Sequence, residues 1–281
     1  MKTLAYFPEQ VARNGQPVLR AFLDSMRALG FKLEENSMDS DVVVIWSVLW
    51  QGRMAKNEAV YRHYCKQHKP VIVLEVGALN RDVTWKVMVN HTTADGMHGG
   101  MHKQLDYDRP GKLGIELTTP NKPKDHIVIA MQHTKSLQTQ GVDLTHWANN
   151  QIAQLKQYTD RPIHIRPHPR CSINTAQFRD VKIELPQKLS NTYDGFDFDL
   201  DAHAIINYNS GPGIQGAVNG TRVIVDETSL AYPVSIDVSE IENAYIKDRT
   251  QWLVEMCHTE FTLDEVKQGV PYMYLAEYIN D

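Results

Sequence analysis

The feature of this sequence that most restricts its fold is a series of short, nearly uninterrupted runs of β-branched residues. The first two runs are "DVVVIW" at 41–46 and "PVIVLEV" at 70–76, with a helical stretch between them. A strand that is apolar at every position is buried on both faces, and such strands in alternation with helices are typical of a parallel sheet with crossover helices. After a proline-containing stretch at 118–125 the alternation begins again, with the runs "HIVIA", "IHI", "AIIN" and "RVIV". The sequence therefore predicts an α/β protein with two Rossmann-like domains.

The restart of the alternation also predicts where the domains divide. We expect Rossmann-like domains at 1–120 and 121–240 that face each other across a cleft, and a C-terminal helical segment at 241–281 that packs back across both. A chain of 281 residues is long enough for two cores of middling size. In parallel α/β sheets ligands bind beyond the carboxyl ends of the strands, so the loops that follow the predicted strands are the first candidates for a site.

Composition indicates the cellular compartment of such a protein and the partners that it can bind. No stretch approaches the roughly 18–20 uninterrupted apolar residues of a membrane helix, and the N-terminus lacks a signal-peptide pattern, so we expect no membrane span. Cys65, Cys171 and Cys257 lie too far apart for a paired zinc or disulfide pattern, which favours a reduced, cytoplasmic protein. The net charge of −5 argues against a protein that coats nucleic acid. Residues 1–120 nevertheless carry a charge of +2, from 15 Lys and Arg against 13 Asp and Glu, and are the better candidate for contact with a polyanion.

Two loops of the second domain follow predicted strands and contain residues suited to an anion. In "NSGPG" at 209–213, glycines allow close approach of the backbone and Pro212 suits the first turn of a helix, whose free N–H groups favour an anion. Ser210 adds a hydroxyl donor. The plain alternative is a tight turn between a strand and a helix. The loop "MQHTKS" adds His133 and Lys135.

A third loop that follows a predicted strand, "RPHPR" at 166–170, strengthens the prediction that these loops form an anion site. The prolines on either side of His168 restrict the backbone, so the loop loses little entropy on binding. Arg166 and Arg170 offer planar donors suited to phosphate, and His168 adds a donor that is neutral or charged. Alternatively, the segment is a strand-end turn whose arginines pair with surface carboxylates. Prolines account for a turn, but not for a His and two Arg beside a second loop suited to an anion.

The segments "IHIRPHPR" and "NSGPGIQGAVNGTRVIVD" together resemble the donor-binding half of GT-B glycosyltransferases. The nearest likeness is to capsule-type Kdo transferases, which have an R-P-H-P element and a later S-x-x-G-x-E-A element. The chain is also similar to phage-encoded DNA-modifying glycosyltransferases. Gln215 stands where the family often has a Glu that holds the nucleotide ribose, which leaves the nucleotide open. The resemblance implies that the donor and its phosphates are bound by His133, Lys135, Arg166, His168, Arg170, Ser210, Gly211, Gly213 and Gln215.

The same resemblance implies that the first domain binds the acceptor and supplies any general base. Transfer with inversion needs a carboxylate or a His near the attacking hydroxyl, and Glu75 and Asp95 are the two candidates. Glu75 ends a predicted strand, where the cleft should open, and Asp95 lies in a Gly-rich loop. Alternatively, Glu75 pairs with Arg81 and Asp95 shapes a turn. We expect Arg81 and Trp85 to contact the acceptor.

Neither a metal nor another cofactor is expected. His98 and His102 are four residues apart, but the two glycines between them break the helix that would aim both rings at one ion. GT-B enzymes generally need no metal for their chemistry, and the nucleotide-sugar is a co-substrate. Trp46 and Trp50 lie in or beside an apolar run and are expected in the core.

These expectations combine into a glycosyltransferase that moves a sugar from a nucleotide-sugar, with UDP-sugars such as UDP-glucose favoured, to a hydroxyl acceptor. The likeness to phage proteins and the slightly basic first domain favour a hydroxymethyl-pyrimidine in double-stranded phage DNA, in the cytoplasm of the host. The alternatives are transfer to a bacterial surface glycan, a non-catalytic two-lobed protein that binds a nucleotide or sugar, and a nucleotide-sugar epimerase.

Overall fold

The structure of the protein is a computed structural model that describes residues 1–120, 122–192, 195–243 and 246–280. The strands, in chain order, are β1 (Thr3–Tyr6), β2 (Lys32–Glu35), β3 (Val42–Trp46), β4 (Val71–Val76), β5 (Thr84–Val89), β6 (Ile127–Ala130), β7 (Ile163–Arg166), β8 (Lys182–Ile183), β9 (Ala204–Asn207), β10 (Arg222–Val225) and β11 (Glu260–Thr262). The helices are α1 (Gln16–Ala28), α2 (Asn57–Lys66), α3 (Arg109–Lys112), α4 (Leu144–Leu155), α5 (Gly211–Val218), α6 (Thr250–Cys257), α7 (Leu263–Lys267) and α8 (Val270–Asn280).

The chain forms two compact units. The first is Met1–Ile115 together with the stretch from Leu253 to the C-terminus, and the second is Glu116–Trp252. The end of the chain is part of the first unit because β11 pairs antiparallel with β5 and so extends its sheet. This differs from the expected separate helical segment at 241–281, of which the first residues lie in the second unit.

The sheet of the first unit has the strand order β11-β5-β4-β3-β1-β2. Strands β1 to β4 are parallel, β5 is antiparallel to β4, and β11 is antiparallel to β5. Strand β3 is buried at every position, as its continuous apolar run predicts. On one face of the sheet, side chains from the strands and from α1, α7 and α8 form a hydrophobic core. Its large members include Phe22, Met26, Trp46, Trp85 and Phe261.

The sheet of the second unit has the order β10-β9-β6-β7-β8, with all neighbours parallel. Its core combines the apolar strand residues with the buried face of α4, including Ala148, Ile152 and Leu155. Helix α5 packs closely on the sheet because it has glycine where it meets the strands. A Cβ atom at Gly216 would lie only 2.8 Å from Cδ1 of Ile205.

In both units the winding direction of the chain reverses within the sheet. In the second unit β6 leads through α4 to β7 on one side, whereas β9 and β10 lie on the other, so the reversal falls between β6 and β9. In the first unit β1 leads through α1 to β2, whereas β3 and β4 lie on the other side, so the reversal falls between β1 and β3. Open α/β sheets bind ligands at the carboxyl ends of the strands at such a point.

The predicted fold class is confirmed: two Rossmann-like units are built on sheets in which parallel pairs dominate. Strand β5 was not predicted, because the polar residues in "TWKVMV" interrupt the apolar pattern. Over the described ranges, the helices are all too short or too polar to cross a membrane.

Candidate functional site

The three polar loops of the second unit lie side by side, because β9, β6 and β7 are adjacent and parallel. Three hydrogen bonds of Asn209 join the loops after β6 and β9. The Gln132 Nε2 donates to Oδ1 of Asn209 at 2.9 Å, and the Asn209 N–H donates to Oε1 of Gln132 at 2.6 Å. The Asn209 amide also donates to the Gln138 carbonyl and to the Thr228 hydroxyl. Sequence reasoning missed Gln132 and Asn209, although each lies two residues beyond an apolar run.

Asn207, the last residue of β9, holds the turn that leads into α5. Its Nδ2 donates to the carbonyl of Ala130 on β6 at 2.9 Å, and its Oδ1 accepts the Ser210 N–H at 2.7 Å. The Ser210 hydroxyl lies 3.1 Å from Nδ2 of Asn207 and does not cap the helix. A buried amide therefore fixes the position of Ser210 at this edge of the sheet.

The start of α5 offers fewer donors than its sequence suggests. Pro212 has no N–H, and the Gly213 N–H donates to the Ser210 carbonyl at 3.2 Å. The Ser210 hydroxyl in turn lies 3.2 Å from Oδ1 of Asn207, so the donors suggested for an anion at this helix start are partly used within the turn. Gly213 has a packing role as well, since a Cβ atom there would lie 2.8 Å from a valine side chain of β10. Gln215 is partly exposed, one turn into the helix.

Arg166, the last residue of β7, is engaged within the unit, contrary to its predicted role as a phosphate ligand. Its side chain is buried, and its Nη2 lies 2.7 Å from Oδ1 of Asp197 and also donates to the Asp197 carbonyl. The guanidinium lies 5.4 Å from the centroid of the Phe198 ring. Loss of the carboxylate partner of a buried arginine strongly destabilises the folded protein. The pairing of Arg166 with Asp197 therefore holds the segment at 197–198 against β7.

His133 and His168 meet edge to face where the loops after β6 and β7 approach each other, with 5.1 Å between ring centroids. In each ring Nδ1 accepts a backbone N–H, that of Lys135 at 3.0 Å for His133 and that of Arg170 at 3.2 Å for His168. A neutral imidazole whose Nδ1 accepts has its proton on Nε2, so the His133 ring has its donor at Nε2. Burial, together with the positive charges of Arg170 and Lys135, lowers the pKa of His133 and keeps it neutral near pH 7.

The Nε2 atom of His133 is buried and makes no hydrogen bond of ordinary geometry, although the Arg170 backbone acts on the ring and partly opposes the lowering of its pKa. Buried polar atoms are bonded in the large majority of cases, so an unbonded donor is an unusual feature. The exposed side chains of Lys135 and Arg170 lie in the same two loops. An unbonded donor beside cationic side chains is suited to an anionic ligand, since hydrogen bonds to charged acceptors are stronger than those to neutral ones.

In the first unit, Glu75 belongs to a row of three charged residues across the sheet. Glu75 on β4 is directly opposite Lys86 on β5, and Lys86 is directly opposite Glu260 on β11, so the three side chains share one face. Lys86 and Glu260 are buried, whereas Glu75 is partly exposed. Burial lowers the pKa of Lys86, and the charges of Glu260 and Glu75 oppose that shift. The predicted base thus balances the charge of a buried lysine, which sequence reasoning missed.

Of the other predicted residues of the first unit, Asp95 and Arg81 lie in connections and Trp85 lies in the core. Asp95 is exposed in a turn, with its carboxylate 3.4 Å from the Thr93 hydroxyl, as in the alternative that it shapes a turn. Arg81 is exposed in the connection between β4 and β5. The prediction that Trp85 stacks on an acceptor is wrong, because its ring lies in the core, 5.9 Å from that of Trp46. Over the described ranges, His, Cys, Asp and Glu residues form no group of three or more that would hold a metal ion.

Comparison with known proteins supports the fold. No family model and no curated protein matches the sequence. Among solved structures, the chain is similar to KpsC, beta Kdo 2,4 transferase, of Thermosulfurimonas dismutans, with 13% identity, coverage of 96% of this chain and 98% of that chain, and a TM-score of 0.55. It is also similar to KpsC, beta Kdo 2,7 transferase, of the same organism, with 12% identity, coverage of 100% and 99%, and a TM-score of 0.51. At such low identity the likeness concerns the fold alone, that of two Rossmann-like domains of the GT-B type.

Proposed function

We propose that this protein is a glycosyltransferase that moves a sugar from a nucleotide-sugar to a hydroxyl group of a glycan. The fold likeness to two Kdo transferases extends over nearly the whole of each chain and supports this proposal. The observation that carries it is the buried, unbonded Nε2 of His133 beside His168, in the loop after β6, which is one of the two strands between which the second sheet reverses its winding.

In the proposed reaction the second unit binds the phosphates of the donor. The Nε2–H groups of His133 and His168 donate to phosphate oxygens, and Lys135 and Arg170 supply positive charge. Negative charge grows on the leaving nucleotide as the bond between sugar and phosphate breaks, and donors that are already oriented stabilise it without rearrangement. Further donors to the nucleotide are Ser210, Gly211 and Gln215.

The choice of donor sugar and acceptor to propose rests on the similar structures more than on the residues of the site. Because both are Kdo transferases, CMP-Kdo is the first donor to test, ahead of the UDP-sugars expected from the sequence. A glycan acceptor ranks ahead of hydroxymethylated DNA, since DNA is favoured by the likeness to phage proteins and by a charge of +2 on residues 1–120, from 15 basic against 13 acidic residues.

A thermal-shift screen with CMP, UDP, GDP, CMP-Kdo and UDP-glucose tests the donor site. At about 100-fold excess over Kd a ligand stabilises the folded state by roughly 2.7 kcal/mol, which raises Tm by several degrees. We expect one nucleotide to give this shift in the wild type and to lose it in His133→Ala and His168→Ala. The control is Lys156→Ala, an exposed cation just after α4, at the opposite edge of the sheet. No shift with any nucleotide in folded protein would contradict the proposal.

Product analysis then separates transfer from the alternatives. The nucleotide-sugar that binds is incubated alone, with a bacterial surface glycan, and with hydroxymethylated duplex DNA. Release of nucleotide that requires the glycan supports the proposal, and release that requires DNA reassigns the acceptor. Conversion of the donor without any acceptor would identify an epimerase, and binding without conversion a non-catalytic protein.

A further inference from the structure

The first unit contains its own group of buried polar atoms that lack hydrogen-bond partners. In the described part of the chain these atoms include Oε1 of Gln10, Nε1 of Trp50 and Oδ1 of Asn57, which we call the amide–indole cluster. Gln10 lies in the connection after β1, Trp50 follows β3, and Asn57 begins α2. All three residues are thus at the carboxyl edge of the first sheet. Three unbonded buried atoms at one edge need an explanation, because such atoms are rare.

Asn57 joins the connection after β1 to the last residue of β3. Its Nδ2 donates to the Trp46 carbonyl at 2.7 Å and to the Gln10 carbonyl at 3.2 Å. Since the amide nitrogen makes both bonds, the oxygen is turned away from these carbonyls and receives no donor. Asn57 is only 1% exposed, so packing holds the amide in this orientation. The indole of Trp50 packs on the ring of Tyr61, with 5.8 Å between centroids.

The backbone at this edge is strained. Ser47, directly after β3, is buried and has a φ of 64°, a left-handed conformation unusual for serine. Its N–H donates to the Leu74 carbonyl at 2.8 Å, and its hydroxyl accepts the Leu49 N–H at 3.1 Å. Such strain costs of order 1–3 kcal/mol and is found mainly at binding and catalytic sites. The strained residue lies at the reversal between β1 and β3, where an α/β sheet binds its ligand.

The chemistry of the cluster selects its ligand. Gln10 and Asn57 each present an oxygen acceptor, and Trp50 presents an N–H donor, all of them uncharged. Ionised phosphate and carboxylate groups have no proton to donate to two amide oxygens, whereas hydroxyl groups both donate and accept. The rings of Trp50 and Tyr61 offer apolar surface to the C–H face of a sugar.

We propose that the amide–indole cluster binds a neutral, hydroxyl-rich sugar ring. If the proposed function is correct, this sugar is part of the acceptor. Gln10, Trp50 and Asn57 are not among the residues that the sequence predicted for the first domain, Glu75 and Asp95 as bases and Arg81 and Trp85 as acceptor contacts, although the charge of Asp95 acts on Tyr61. The three polar atoms themselves are shielded from solvent, but Gln10 and Trp50 are partly exposed as residues. Entry of the sugar therefore involves rotation of these two side chains.

Calorimetry and saturation-transfer NMR on the full chain test the proposal, with the methyl glycosides of glucose, galactose and N-acetylglucosamine as probes. Trp50→Phe keeps a ring against Tyr61 but removes the donor, and Gln10→Leu removes one acceptor at similar volume. We expect each variant to bind the preferred glycoside about three- to tenfold more weakly, as for the loss of one hydrogen bond. The control is Gln67→Leu, the same substitution at the exposed far end of α2.

Two results would overturn the proposal. The first is absence of saturable binding of any of the three glycosides to the wild type. The second is glycoside binding that stays unchanged in both variants, which would show that neither the indole N–H nor the Gln10 amide contacts the sugar. Nucleotide thermal shifts are measured on the same variants, so that failure of the sugar site can be distinguished from failure of the donor site. Glycoside binding without any nucleotide shift would leave the sugar site standing and remove the proposed transferase function.

Discussion

Replacement of Lys86 with Met tests whether the charged row of the first sheet is an ionised network. Lys86 is 6% exposed, and its neighbours on β4 and β11 are Glu75 and Glu260. The charges of Glu260 and Glu75 act on the ammonium without a direct ion pair, and at an effective dielectric constant of about 20 opposite charges about 5 Å or more apart attract by at most roughly 3–4 kcal/mol. The two carboxylates, two strand spacings apart, repel each other by less than about 2 kcal/mol.

In Lys86→Met the Glu260 carboxylate stays buried, because its hydrogen bonds hold it in place. Glu260 accepts the N–H groups of Ala78 and Leu79 at 2.6 and 3.1 Å and the Thr84 hydroxyl at 2.7 Å. Met has nearly the length of Lys, so the substitution opens little space. Loss of one partner from a buried charge pair typically costs about 3–5 kcal/mol, and we expect Lys86→Met to lower the free energy of unfolding by that amount.

Urea unfolding at pH 7, followed by circular dichroism, measures this change. The control is Lys66→Met, an exposed lysine at the end of α2, which should alter stability by no more than about 0.5 kcal/mol. Adding Glu75→Gln to the Lys86→Met background should restore part of the loss, because it removes the repulsion between the two carboxylates. A loss below about 1 kcal/mol for Lys86→Met, or a gain, would refute the view that the row is an ionised network.

Three further predictions follow from the same contacts. Gly77→Ala should lower stability by about 1–3 kcal/mol in urea unfolding, because its Cβ would overlap a backbone carbonyl of β5 and the Glu260 carboxylate. Burial, and then the charge of a nearby lysine, lowers the pKa of His98 to about 4. The unfolded chain therefore takes up the proton first, and stability should fall by up to roughly 3 kcal/mol between about pH 7 and 4, a dependence that His98→Gln removes. Arg166→Met should lower Tm, since Asp197 loses its partner, while the folded variant keeps its nucleotide affinity.

The parts of the fold that the sequence predicted are those with a continuous apolar signal. Strands such as "VVVIW" are buried at every position and need no knowledge of their neighbours to be identified. Strand β5 and the short β11 contain polar residues whose burial depends on pairing with each other. The charged row was hidden for the same reason, because Lys86 and Glu260 meet only through a register between segments far apart in the sequence.

The sequence predicted which residue types form the candidate site, but it did not predict which of their hydrogen-bonding groups are already used within the protein. The three loops after β6, β7 and β9 were identified because polar residues directly follow apolar runs. Arg166 and His133 were both assigned to phosphate, yet Arg166 is paired with Asp197 while the Nε2 of His133 makes no hydrogen bond of ordinary geometry. Which hydrogen-bonding groups remain unsatisfied is decided by tertiary contacts, so composition and spacing cannot separate the two residues.

Unsatisfied polar atoms also distinguish what each unit is suited to bind. In the second unit the unbonded atoms include the His133 donor, which lies in loops with Lys135 and Arg170 and so matches an anion. In the first unit the unbonded atoms of Gln10, Trp50 and Asn57 are uncharged, and two of them require a donor from the ligand. Transfer of a sugar from a nucleotide to a hydroxyl uses one ligand of each kind, an anionic leaving group and a neutral nucleophile. The two proposals therefore rest on independent atoms but describe the two substrates of a single reaction.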